Sequence, residues 1–204
     1  MDMKIGIDFD NTIVCYDTVF HRLAAQTGLI PVETPVLKHA VRERMRQDDR
    51  ADLWSMLQGQ VYGSCILAAP PFPGVSEFFE FCRDEAIEPC IISHKTRFAK
   101  RGTRYDLHQA ALSWLAHHHF FERRLVALHN VYFEPTQHAK IRRIATARCT
   151  HFIDDLIEFL TAPRFPANTA RFLFDPAGAY KEAHIERFSS WTEVRAYFDA
   201  TVSI

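Results

Sequence analysis

The sequence predicts an α/β protein, in which a parallel sheet of about five strands is flanked by helices and a small helical insertion follows the first strand. Three observations carry this expectation. Short apolar runs that read as buried strands recur along the chain, as in Lys4-Ile5-Gly6-Ile7, Cys90-Ile91-Ile92, His151-Phe152-Ile153 and Arg171-Phe172-Leu173-Phe174. Segments with apolar residues at helical spacing lie between them. Several of the runs also stop at serine or aspartate, the pattern expected where parallel strands open into a site at their carboxyl ends. Strands alternating with helices imply right-handed crossovers and a single parallel sheet.

The first strand leads into Asp8-Phe9-Asp10-Asn11-Thr12. Ile5, Ile7 and Phe9 favour extended backbone, and Gly6 leaves room for close packing. Asp8 and Asp10 are two apart, so along an extended chain they would lean the same way. Two carboxylates held close together are costly without a cation or a proton between them. An oxygen-only ligand set points to magnesium. Taken alone, the stretch also reads as a turn in which Asp10-Asn11-Thr12 caps a helix, and both readings stay open at this point.

The pattern then turns helical. Asp17-Thr18 opens a segment carrying Val19, Phe20, Leu23 and Ala24 that ends near Gly28. After a connector marked by Pro31 and Pro35, residues 36–48 read as a second helix with Lys38, Arg42, Arg44 and Arg46 on a basic face. A third runs from 52 to about 60 through Leu53, Trp54, Met56 and Leu57. Gly59, Gly63 and the prolines at 70, 71 and 73 close this block. No strand pattern occurs between Val14 and Pro70. Residues 15–70 are therefore expected to form the insertion, with 1–14 and 71–204 as the sheet domain.

Pro73-Gly74 starts an amphipathic helix through Val75, Phe78, Phe79, Phe81 and Cys82, which leads to the second strand and Ser93. Residues 94–104 form a basic loop, and 107–118 a helix through Leu107, Ala111, Leu112, Trp114 and Leu115. Residues 125–128 are expected in the third strand region, with 131–133 as a further candidate. Pro135-Thr136 opens a helix containing Lys140, Ile141 and Ile144. The fourth strand ends at Asp154-Asp155 and the fifth at Asp175-Pro176, whose role reads as a turn. Ser190 and Glu193 have capping-box spacing ahead of a last helix.

Bulk properties exclude several classes. Two hundred and four residues, nearly half of them hydrophobic, suit one substantial domain with an insertion. A formal net charge of −1 provides no field to draw the protein to nucleic acid or an anionic membrane. The five cysteines are scattered and odd in number, with no Cys-x-x-Cys, which argues for reduced thiols in a cytoplasmic protein. No apolar stretch approaches membrane-spanning length, and Asp8 and Asp10 break the only N-terminal run of signal-peptide character.

Chemistry-bearing residues thus fall after three strands, at Asp8/Asp10, Ser93 and Asp154/Asp155. With Lys140 between the last two, this ordered set resembles the haloacid dehalogenase superfamily of phosphohydrolases, over residues 4 to about 175. Asp8-Phe9-Asp10-Asn11-Thr12 matches the first signature of that family, Ser93 the second, Lys140 the third, and Asp154-Asp155 the paired-acid variant of the fourth. Pro71-Phe72-Pro73-Gly74-Val75 is also typical, and the helical block falls where the family inserts a cap. The resemblance implies a Rossmann-like core and a Mg²⁺-dependent phosphatase that hydrolyses a small phosphate monoester through an aspartyl-phosphate. In that scheme Asp8 is the nucleophile, and Asp10 the acid and then the base. Mg²⁺ is held by Asp8, the backbone carbonyl of Asp10 and Asp154, with Asp155 a direct or water-mediated partner. Thr12, Ser93 and Lys140 lie at the phosphoryl oxygens.

A halide leaves without a proton, so the presence of Asp10 favours phosphate esters over carbon–halogen bonds. Lys95, two residues after Ser93, competes with Lys140 for the role of phosphate lysine. Phosphotransferase or phosphomutase chemistry uses the same residues and stays open. So does a non-catalytic nucleotide- or RNA-binding module built on residues 94–104, although that loop has few aromatic residues on which bases would stack. The same loop carries more positive charge than one phosphoryl group needs. Lys95, Arg97 and Arg101 are therefore candidates to hold a second anionic group of the substrate.

Overall fold

A computed structural model describes residues 3–180 and 184–202. Its strands are β1 (Lys4–Ile7), β2 (Glu88–His94), β3 (Val131–Glu134), β4 (His151–Asp154), β5 (Ala170–Phe174) and β6 (Glu186–Phe188). The helices are α1 (Asp17–Gln26), α2 (Lys38–Gln47), α3 (Ala51–Tyr62), α4 (Val75–Asp84), α5 (Leu107–His117), α6 (Gln137–Thr146), α7 (Ile157–Leu160) and α8 (Trp191–Val202). Among the described residues none of them is long and apolar enough to cross a membrane. The six strands form one sheet in the order β3-β2-β1-β4-β5-β6, with every pairing parallel. Successive strands run outward from β1 to β3 on one side and from β4 to β6 on the other. The carboxyl ends of β1 and β4 therefore flank the reversal point, where open α/β sheets place their ligands.

The strand period of two divides the core between the two faces. Cys90, Ile92, Phe152 and Leu173 pack with Ile141 and Ile144 of α6 and with Phe159 and Leu160 of α7. On the opposite face His151, Phe172 and Phe174 meet Phe198 or Trp191 of α8, and Trp191 and Phe198 in turn meet Phe78 of α4. Gly6 belongs to the α6 face and allows the closest packing in it. A Cβ there would stand 2.5 Å from Phe152 Cδ2 and 2.9 Å from Cys149 Sγ. Over the same spot Cys90 Sγ and Cys149 Sγ lie 3.5 Å apart as thiols. Gly6→Ala is accordingly expected to destabilise the fold by about 1–3 kcal/mol, the usual range for overpacking. Urea unfolding monitored by tryptophan fluorescence would measure it, and an unchanged midpoint would contradict this account.

Two strand expectations need correction. Residues 125–128 are not a strand. Leu125 and Val126 are buried, but they lie in the turns after α5, and it is Val131–Glu134 that takes up the ladder with Ile91–His94. A sixth strand, β6, is short, and of its residues Glu186, Arg187 and Phe188 only the last is buried. The last-helix signal held its local chemistry, since Ser190 Oγ accepts from the Glu193 amide at 3.2 Å.

The chain separates into two compact units, Met1–Ile13 with Pro71–His94 and His119–Ile204, and Val14–Pro70 with Lys95–His118. The first holds the sheet. The second holds α1, α2, α3 and α5, around stacked or edge-on rings of Tyr16, Phe20, Trp54 and Tyr62. It is larger than the block expected at 15–70, because residues 95–118 join it. A glycine on α3 and one at its C-terminal cap explain how the loop before α5 comes so near. A Cβ at Gly59 would lie 2.9 Å from Ala99 Cβ, and one built at Gly63 would lie 2.6 Å from Tyr105 Cγ. Trp114 of α5 then donates its indole N–H to the Ala69 carbonyl at 2.7 Å.

Candidate active site

The face on which Gly6 and Phe152 pack also fixes where the acids point. Asp8 comes two residues after Gly6 and Asp154 two after Phe152, so both carboxylates face α6 just beyond the packed core. From α6 the buried residues are Lys140, Ile141 and Ile144. The two isoleucines join the core, and Lys140 reaches past them. Its Nζ donates to Asp8 Oδ1 at 2.5 Å and to Asp154 Oδ2 at 2.6 Å. Its ammonium also lies 4.2 Å from the Phe159 ring centroid. Lys140, Asp8 and Asp154 are 3%, 5% and 0% exposed, so water screens this triad little.

Backbone bonds hold the acids in place. The Asp8 amide donates to the Ile153 carbonyl at 2.9 Å, continuing the ladder past the end of β1. Asp154 Oδ1 accepts from the Leu156 amide at 3.0 Å. A third carboxylate joins them: Asp8, Asp154 and Asp155 can each offer an oxygen within 4.8 Å of the others. Burial pushes the Asp8 carboxyl up to about 7; Lys140 opposes this, while Asp154 and Asp10 add to it. Burial also works against the charged Lys140, but Asp154 and Asp8 outweigh it and hold the ammonium above the ordinary lysine range. Three acids facing one ammonium leave an excess of negative charge. The donors are all hard oxygens, so the set fits a divalent cation of the magnesium class.

The remaining predicted residues divide between the two units. Ser93 is buried near the carboxyl end of β2, one strand from Asp8. Thr12 is fully buried; its carbonyl accepts from the Trp191 indole at 2.9 Å, while its Oγ1 has no hydrogen-bond partner among the described residues. Asp10 lies beyond β1, just before the turn at residues 11–13, and its side chain is not in the three-carboxylate cluster, which leaves its backbone carbonyl as the ligand expected of it. Lys95 belongs to the second unit, where its ammonium lies 4.8 Å from the Tyr62 ring centroid. Arg97 pairs there with Asp106 at 2.9 Å, and Arg101 with Asp52 at 3.0 Å. Of the two candidate lysines, Lys140 is the one bonded to Asp8.

The sequence reading placed Asn11 in a turn and in the first signature but gave its side chain no partner. Its backbone is left-handed, with φ at 60°, and its Nδ2 donates to Asp155 Oδ2 at 3.3 Å.

No protein-family model matches the chain, and no curated protein sequence matches it either. Solved structures do. A HAD family hydrolase from Deinococcus radiodurans R1, with bound phosphate and sodium, superposes with a TM-score of 0.63 at 14% identity, covering 98% of this chain and 97% of its own. A HAD-superfamily hydrolase from Ehrlichia chaffeensis gives 0.55 at 12% identity, with 99% of each chain covered. A predicted phosphoglycolate phosphatase from Haemophilus somnus gives 0.55 at 12%, covering 97% of this chain and 98% of its own. The similar structures also include a dehalogenase, with a TM-score of 0.58 at 13% identity over 96% of both chains. The likeness is one of fold. This chain has the Rossmann-like fold of the haloacid dehalogenase superfamily hydrolases.

Proposed function

We propose that this chain is a magnesium-dependent phosphatase that hydrolyses a small phosphate monoester through a phosphorylated Asp8. The observation that carries the reading is the buried Asp8–Lys140–Asp154 arrangement at the reversal point of the sheet, with Asp155 beside it. Asp8, the carbonyl of Asp10 and Asp154 would hold Mg²⁺, with Asp155 as a direct or water-mediated partner. Bound there, the ion would screen the repulsion between a carboxylate nucleophile and an anionic phosphoryl group.

The chain's own residues supply the remaining steps. An Asp8 oxygen attacks phosphorus in line as the ester oxygen departs, and Asp10 gives that oxygen its proton. Asp10 then takes a proton from water, which attacks the phosphoaspartate, frees phosphate and restores the Asp8 carboxylate. Lys140 and Ser93 bind the phosphoryl oxygens and stabilise their charge in the transition state. Thr12 offers a buried hydroxyl with a free hydrogen-bonding capacity in the same turn. A carbon–halogen substrate would leave Asp10 without a task, and this favours the phosphatase reading over the dehalogenase one. The five free thiols support a reducing, cytoplasmic setting.

The test is hydrolysis of p-nitrophenyl phosphate with added Mg²⁺. Turnover is expected with the metal, and reversible silencing by EDTA. Asp154→Ala removes a direct ligand and should shift half-activation to a higher magnesium concentration by roughly tenfold or more. Full activity in excess EDTA, or an unshifted titration for Asp154→Ala, would overturn the site. A binding module without catalysis would show no turnover under any of these conditions.

A further inference from the structure

We infer that Asn11 is a positioning residue for the metal site, holding the Asp155 carboxylate in the orientation that a divalent cation needs; the inference rests on the magnesium reading above. Two features of Asn11 must be separated. Its φ of 60° lies in the left-handed region, which glycine occupies freely and asparagine tolerates better than most residues. A turn of this shape explains why a small or polar residue stands between Asp10 and Thr12. It does not explain a side chain that reaches Asp155, 144 positions away in sequence, with Nδ2 donating to Oδ2 at 3.3 Å.

The consequence for Asp155 follows from its neighbours. Asp8 and Asp154 are buried, and Lys140 with the backbone amide of Leu156 fixes their carboxylates. Asp155 is only partly buried and follows the end of β4, outside the ladder. The neighbouring acids repel it. An amide donor on one of its oxygens offsets part of that repulsion and turns the carboxylate toward the cluster. Partners of this kind orient ligands without touching the ion, and losing one typically costs about 10- to 100-fold in metal affinity. A hydrogen bond of 3.3 Å is long, so the lower end of that range is expected.

Asn11→Gly tests the inference, because glycine keeps the left-handed turn and removes only the side chain; alanine would add backbone strain and confuse the two roles. The readouts are titration calorimetry with MgCl₂ and the magnesium-induced rise in melting temperature, both without substrate. Asn11→Gly is expected to weaken Mg²⁺ binding about tenfold, moving the concentration dependence of the melting rise to correspondingly higher magnesium. Wild-type affinity in a folded Asn11→Gly protein would show that the residue serves the turn alone and would overturn the inference. Asp155→Asn in the Asn11→Gly background separates a shared effect from an independent one. If Asn11 acts through Asp155, the double variant binds no more weakly than Asp155→Asn; a further tenfold loss would also overturn it. Failure of the underlying reading looks different, since wild type would then show neither heat nor a melting rise with magnesium.

Discussion

Asp8→Asn is expected to abolish turnover of p-nitrophenyl phosphate, by a factor on the order of 10⁴ or more, while the protein stays folded. The amide has the shape of the carboxylate and can still accept from Lys140, so the packing around it survives. It lacks the charge and the nucleophilicity to attack phosphorus. A residual rate above roughly a tenth of wild type would mean that no covalent step passes through Asp8. The same substitution makes a second, independent prediction in the absence of metal. Burial raises the Asp8 carboxyl from its ordinary value to about 7 in the folded protein. Between the unfolded and folded values the native state therefore binds more protons than the unfolded one, and stability falls as pH rises through that window. Asparagine does not ionise and escapes this loss. In EDTA, Asp8→Asn should melt above wild type at pH 8, and the gap should shrink on acidification towards pH 4. Parallel melting curves across that range would show that Asp8 carries no such burden.

What could be read in the sequence was what strand periodicity and abrupt polarity encode. Asp8 and Asp154 each stand two residues beyond a core position of the same strand, so each strand's alternation already placed its acid on the packed face. Ser93 and Lys140 were legible for the same reason, one at a strand end and the other among the apolar positions of a helix. The misreadings arose where the local signal is silent. Leu125-Val126-Ala127-Leu128 is as apolar as a buried strand, yet burial without a ladder partner needs no extended backbone, and no short-range pattern distinguishes the two. Glu186-Arg187-Phe188 buries one side chain and was too short and too charged to register. Residues 95–118 joined the helical unit through close approaches at Gly59 and Gly63, and a glycine in a helix or at its cap says that something comes near without saying what. Asn11 was invisible for a related reason. Its left-handed turn is local, but its bond to Asp155 depends on the order of strands in the sheet.

Replacing the lysine that joins two of the acids should have a large effect on both rate and stability. Lys140→Met keeps the aliphatic stem against Phe159 and deletes the ammonium, so it removes charge with little change in packing volume. The buried carboxylates of Asp8 and Asp154 then lose their only ion-pair partner among the described residues. Breaking a buried pair in this way costs about 3–5 kcal/mol, unless the acids recover by protonation. In EDTA the variant should therefore melt well below wild type at pH 8 and regain much of the difference on acidification. Saturating magnesium should also recover part of it, because a divalent cation neutralises the same carboxylates. Activity should not recover with it. Lys140 is proposed to stabilise charge on the transferring phosphoryl oxygens, and removing one such donor typically costs about 10²- to 10³-fold in rate. Magnesium at saturation should recover part of the stability of Lys140→Met and leave that deficit in place. Lys95→Met provides the comparison: it deletes a buried ammonium beside Tyr62 without touching Asp8 or Asp154. If Lys95→Met instead showed the hundredfold loss and Lys140→Met kept near wild-type turnover, the phosphate-binding role would pass to Lys95, and Lys140 would be left with holding the acids together.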